Sequence, residues 1–128
     1  SSQLNGGAAS VNEAGRMRMQ AYRLAWGAAR DIPDEARHAL VRSLDDSLAL
    51  LERGDPARPL VTPWDDKVRA RYDAVRAAWS RLKPLHARQT GPADPVAMDT
   101  ATAALVTTID DFVSAIELHL ARYTTILH

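Results

Sequence analysis

Apolar residues recur along the chain at intervals of three and four, the spacing of a helix face, and no segment alternates like a half-buried strand. The first periodic stretch opens at Ser10-Val11-Asn12-Glu13, which has the form of a capping box. In that motif the serine and glutamate side chains satisfy backbone N–H groups of the first turn. Its seam runs Val11, Gly15, Arg18, Tyr22, Ala25 and Ala29, flanked by Ala14, Ala21 and Ala28, and it stops before Pro33. A second helix starts at Pro33-Asp34-Glu35, with proline and acids suited to a first turn. It carries a stripe of Ala36, Leu40, Leu44, Leu48 and Leu51 and ends at Gly54-Asp55-Pro56.

The third helix opens on Thr62-Pro63-Trp64-Asp65, with Thr62 as the expected N-cap. Its stripe passes through Trp64, Val68, Tyr72 or Val75, Trp79, Leu82 and His86, and Pro84 is expected to kink or end the last turns. Gly91-Pro92 and Asp94-Pro95 then mark a loop and a cap. The fourth helix spans roughly 95–127, with Leu105, Ile109, Phe112, Ile116, His119, Tyr123 and Ile126 on one line and Val106, Val113, Leu120 and Leu127 beside it. At about 1.5 Å per residue such a helix is about 50 Å long.

Four amphipathic helices joined by short to moderate loops predict an all-α, antiparallel up-down-up-down four-helix bundle. Residues 1–9 are expected to be a disordered or vector-derived N-terminus, and residues 10–128 a single four-helix domain. Both termini then leave at one end, and no stop signal stands at His128, the pattern of a piece of something longer. No stretch reads as a signal peptide or approaches the length of apolar run that spans a membrane.

Composition narrows the function classes. A chain of 128 residues with 46% hydrophobic and 25% charged positions fits one folded domain. Sixteen Lys and Arg balance sixteen Asp and Glu, so the positive excess of a general nucleic-acid binder is missing. The balance is uneven along the chain: residues 12–30 carry +3, residues 31–93 +1 and residues 94–128 −4. The absence of cysteine excludes disulfides, thiolate metal sites and a cysteine nucleophile, and leaves the redox compartment open.

Two residues of the first helix break local rules. Gly15 is mid-helix, where glycine costs about 1 kcal/mol relative to alanine. Arg18 falls in the middle of the expected apolar seam, where a lone charge is expensive. Three residues apart, they share a face. A glycine one turn before an arginine leaves a gap beside the guanidinium, in which a small anion can take a planar fork of hydrogen bonds. The other explanation is plainer: the arginine reaches the surface or pairs with an acid, and the glycine permits close helix packing. Periodicity does not choose between them.

The stretch Val11-Asn12-Glu13-Ala14-Gly15-Arg16-Met17-Arg18-Met19-Gln20-Ala21-Tyr22-Arg23-Leu24 resembles the P-box of the periplasmic sensor domains of nitrate/nitrite sensor histidine kinases of the NarX/NarQ type. That motif reads approximately I-N-x-A-G-S-L-R-M-Q-S-Y-R-L. Asn12, Ala14, Gly15, Arg18, Met19, Gln20, Tyr22, Arg23 and Leu24 match it, and Val11 is a conservative replacement. Arg16-Met17 replaces Ser-Leu, and Ala21 replaces a second serine. The rest of the chain agrees with the family in architecture alone.

The resemblance implies a domain in the periplasm, carried on an inner-membrane protein between two flanking transmembrane helices. It implies a parallel homodimer through the first and fourth helices, with the two first helices meeting on the two-fold axis. One nitrate or nitrite binds there between the two copies of Arg18, with backbone around Gly15 completing the pocket and a helix shift as the signal. Asn12, Arg16, Met17 and Arg23 are secondary candidates for that site. The kinase chemistry would lie outside these residues, so the domain itself is expected to have no catalytic residues and no cofactor. Chemoreceptors of the PilJ type carry related helical domains and supply the alternative: a dimerisation or protein-interaction module without a small-anion ligand. In that case Arg18 pairs with an acid in the bundle, the acidic fourth helix being one source.

Remaining candidates read as structural. His119 lies on the stripe of the fourth helix as a hydrogen-bonded core or interface histidine, His38 and His86 are isolated, and no His/Asp/Glu spacing resembles a metal site. The adjacent pairs Asp45-Asp46, Asp65-Asp66 and Asp110-Asp111 point to different helix faces and make poor acid–base dyads. Trp26, Trp64 and Trp79 are expected in the core or at the bundle end.

Overall fold

The computed structural model describes residues 2–87 and 94–127. The Gly91-Pro92 loop signal and the Ile126 and Leu127 side chains lie outside the described residues. Four helices follow one another: α1 (Ser2–Arg30), α2 (Asp34–Arg53), α3 (Asp66–His86) and α4 (Pro95–Leu127). Neighbouring helices run antiparallel, as their cross-contacts show. Glu13 meets Ser47 and Gln20 meets Ser43 between α1 and α2, Asp45 meets Trp79 and Leu48 meets Tyr72 between α2 and α3, and Tyr72 packs on Phe112 while Asp65 meets His119 between α3 and α4, so the numbering rises on one helix as it falls on the next. α4 packs against both α1 and α3, and the result is the four-helix bundle that the periodicity predicts. Among the described residues no helix is long and apolar enough to cross a membrane.

α1 begins at Ser2 rather than at Ser10, so residues 2–9 are helical rather than a disordered tail. Gly6 and Gly7 are poor helix formers, but here their missing side chains admit neighbours. A Cβ on Gly6 would stand 3.2 Å from Val61 Cβ, and one on Gly7 would stand 2.6 Å from Leu120 Cδ2. The Val61 N–H donates to the Gly6 carbonyl at 3.2 Å. Tertiary contact thus overrides local propensity.

Ser10 and Glu13 consequently form no capping box. Ser10 Oγ donates to the Gly6 carbonyl and lies 3.2 Å from Thr62 Oγ1. Glu13 is buried and accepts from Ser47 Oγ at 2.6 Å and from Arg58 Nη1 at 3.1 Å, which joins α1 to α2 and to the connection after it.

The buried seam of α1 is Ala14, Met17, Ala21 and Leu24 together with Ser10, Glu13, Gln20 and Gly27. It is rotated from the expected line, and Gly15, Arg18 and Tyr22 lie outside it. The stripe of α2 shifts at its start in the same way: Arg37 is buried and Ala36 exposed, ahead of Leu44, Leu48 and Leu51.

The N-cap of α3 is Asp65, not Thr62. The Asp65 carboxylate accepts from the Val68 N–H at 2.7 Å and meets His119 Nδ1 of α4 at 2.7 Å. Thr62 instead donates to the Leu51 carbonyl at 2.8 Å, inside the connection that Asp55 and Leu60 close by reciprocal backbone bonds. The Val68 N–H and then His119 hold the Asp65 carboxyl below its ordinary value of 3.8. Its stabilising contribution is therefore present at neutral pH and is lost as pH falls from that value through the lowered one. α3 ends two residues after Pro84, at His86.

The core runs through Met17, Leu44, Tyr72, Leu82, Leu105, Ile109, Phe112 and Ile116, all but wholly buried. Tyr72 donates to the Leu48 carbonyl at 2.5 Å, and burial pushes its phenol up to about 12. Trp79 donates to Asp45 at 2.8 Å, and Trp64 stands edge-on to Tyr72. Trp26, expected in the core or at the bundle end, is instead 57% exposed and carries the Arg30 guanidinium over its ring.

Candidate functional site: the outer face of α1

The rotation of α1 decides where its unusual residues go. At about 3.6 residues per turn, Tyr22, Gly15, Trp26, Met19 and Asn12 fall in one strip along the side of α1 opposite its buried seam, while Val11 at its edge packs against the core. Met19 is 52% exposed, Tyr22 55% and Trp26 57%, so three large apolar side chains at three–four spacing face outward. Among the described residues, nothing beyond the helix's own nearby backbone and the two chain neighbours comes within 4 Å of the position a Cβ on Gly15 would take. The glycine therefore leaves open space on the outside of the bundle rather than serving packing within it.

Cationic residues border this strip. On the α4 side, Arg18 Nη1 pairs with Asp110 Oδ1 at 2.8 Å, with the two side chains 41% and 49% exposed. Arg16 and Arg23, seven residues apart and both exposed, lie along the opposite edge. The carboxylate of α1 that follows Asn12, Glu13, is turned into the core. The +3 of this segment is thereby displayed on and beside the outer strip.

The structure brings Gly15 and Arg18 onto one side of α1, with exposed Asn12 on the strip and Arg16 and Arg23 at its far edge. It removes Met17 from the candidate site. Met17 is wholly buried among the core side chains and cannot line a pocket on the outside. Its position, one residue before Arg18, places it about 100° around the helix, on the α2–α4 side.

Asp110, which reads in the sequence as one of a pair of solvated acids, is the acid of the fourth helix with which the alternative reading pairs Arg18. Sequence reasoning missed the apolar part of this face. Met19 and Trp26, with Tyr22 between them, keep helical spacing in a stripe parallel to the one chosen, and that spacing is the signal by which they are legible.

Residues 1–112 match the family model of the type IV pili methyl-accepting chemotaxis transducer N-terminal domain, PilJ. The match spans most of the chain, and the chain belongs to this family: it is a helical sensor domain of the chemoreceptor type. No curated protein and no solved structure shows a significant match. The family match supports the chemoreceptor-type assignment and lends no support to a nitrate/nitrite sensor histidine kinase.

Proposed function

We propose that this chain is the extracytoplasmic sensing domain of a membrane-anchored chemotaxis transducer, that it pairs with a second copy through the outer face of α1 with help from α4, and that it takes a small oxyanion, nitrate or nitrite, between the two copies of Arg18. The observation that carries the reading is the open space at Gly15, on the same side of α1 as Arg18 and in line with the exposed Met19, Tyr22 and Trp26. Two copies apposed along this strip bury those side chains and bring the two guanidinium groups toward each other. At 4 Å and an effective dielectric near 20 the repulsion is about 4 kcal/mol, which a planar anion with three acceptor oxygens converts to attraction.

The Arg18–Asp110 pair does not bar this. A half-exposed ion pair contributes about 0–1 kcal/mol, so an anion has little to displace. Occupancy alters how the two α1 helices prefer to pack, and a shift of α1 against its copy carries the signal toward the flanking transmembrane helices. The domain binds and transmits without catalysis and uses no cofactor. The family favours a chemotaxis output over the histidine-kinase output that the P-box resemblance suggests.

The Arg18–Asp110 pair favours a second reading, in which Arg18 only braces α1 against α4 and the face is a dimerisation or protein-interaction surface without an anion. Isothermal calorimetry with sodium nitrate and sodium nitrite separates the two. The sensing reading expects saturable binding that Arg18→Ala abolishes. Binding that survives Arg18→Ala overturns it. No binding to the unmodified chain, together with cross-linking through Gly15→Cys in this otherwise cysteine-free sequence, establishes the second reading.

A further inference from the structure

A concavity lies at one end of the bundle, where α1 ends, α2 begins, α3 ends and α4 begins. It has a volume of about 260 Å³, and its wall is largely hydrocarbon: Ala28, Ile32, Leu85 and Met98. Arg37 and His86 also line it. Arg37 is anomalous for this setting, since its side chain is only 8% exposed. Nη1 donates to Asp34 Oδ1 at 2.9 Å, on the solvent side, where Asp34 is 80% exposed. Nε is buried and has no hydrogen-bond partner among the described residues. A buried guanidinium N–H without an acceptor is costly and uncommon, so a group of this kind beside a cavity calls for an acceptor.

We propose that this cavity is a ligand site separate from the outer face of α1, and that it takes a small organic monocarboxylate with an apolar body, its carboxylate on Arg37 and its hydrocarbon against Ile32, Leu85 and Met98. Size and chemistry support this together. An apolar protein cavity of about 150 Å³ accommodates benzene, so 260 Å³ holds a ring or branched chain together with a carboxylate. A bare oxyanion would exchange its water shell for alanine, isoleucine and methionine surface and is disfavoured. A neutral hydrocarbon would leave Nε without an acceptor. A carboxylate accepts from a guanidinium in a charge-assisted bond, and its hydrocarbon fills the rest. Exposed Asp99 at the rim opposes a second negative charge, which selects monoanions. α1 and α4 both line the cavity and both carry the Arg18–Asp110 pair, so a ligand here bears on the same two helices as the outer face.

The test is isothermal calorimetry of the chain with sodium benzoate, against benzyl alcohol as the neutral analogue of the same shape. The expected result is saturable benzoate binding at least about tenfold tighter than that of benzyl alcohol. Arg37→Gln should weaken it by at least about tenfold. Ala28→Leu, which fills the cavity, should abolish it without lowering the melting temperature, and this second variant decides the matter if Arg37→Gln does not fold. Arg18→Ala should leave benzoate binding unchanged, so that failure here and failure of the nitrate reading are told apart. The proposal is overturned if benzoate does not bind at millimolar concentration, if benzyl alcohol binds equally well, if either cavity variant binds benzoate as before, or if sodium nitrate competes with benzoate for one site.

Discussion

The two sides of α1 invert the ordinary distribution of residues. The inner side buries Ser10, Glu13 and Gln20 beside Ala14, Met17, Ala21 and Leu24. The outer side exposes Met19, Tyr22 and Trp26 around Gly15. Most of the polar groups inside meet partners, the Gln20 Oε1 being left without one among the described residues. Glu13 receives Ser47 and Arg58, Ser10 reaches the Gly6 carbonyl and Thr62, and the Gln20 side-chain amide donates to Ser43. Apolar groups are left outside where, among the described residues, only the Arg30 guanidinium over Trp26 covers any of them. α1 is thus built with two interfaces, one filled by its own bundle and one open. An exposed apolar strip on a folded domain marks a contact surface.

Three substitutions test this contrast, taken from the largest expected effect to the smallest. Met17→Ala removes a wholly buried side chain and should cost about 2–5 kcal/mol in denaturant unfolding, since the surrounding helices cannot close the cavity. A loss under about 1 kcal/mol would place Met17 on the open side and reverse the two faces. Glu13→Ala strips the acceptor from Ser47 and Arg58 and should cost about 1–3 kcal/mol, measured the same way. An unchanged midpoint would show that the polar inner contacts contribute nothing. Gly15→Ala should stabilise the dilute chain by up to about 1 kcal/mol, because the helix gains propensity and the new methyl meets no atom. Destabilisation at low protein concentration would mean that the outer side is already packed against the bundle. Of the three, Gly15→Ala is the one expected to act on self-association and nitrate binding, which sharpens the contrast from the other direction.

Legibility differed between the helices for the same reason. α4 reads correctly because its stripe is long, apolar and unrivalled: Leu105, Ile109, Phe112 and Ile116 are all buried. The His119 reading holds too, since the ring is hydrogen-bonded to Asp65 at the α3–α4 contact. In α1 two apolar stripes compete, and hydropathy alone cannot phase the helix when one interface is partly polar. Gly6 and Gly7 read as a loose tail because glycine is disfavoured in an isolated helix, whereas their use is to admit Val61 and Leu120. At the candidate site the sequence identified Gly15 and Arg18 as an unusual pair. The acidic fourth helix offered a partner for Arg18 without singling out Asp110, and nothing in the sequence showed that Arg37 and His86, far apart in the chain, line one cavity.

Four helices, the approximate lengths of α2, α3 and α4, and an anomalous glycine–arginine turn in the first are all written in the local pattern of the chain. Those depend on backbone bonding within a helix and on a repeat of three and four, both local. Tertiary structure alone decided which side of α1 faces inward, that Asp65 rather than Thr62 caps α3, that residues 2–9 are helical, and that four helix ends enclose a buried guanidinium. These depend on which surfaces meet, because burial and the pairing of a polar group belong to two elements at once.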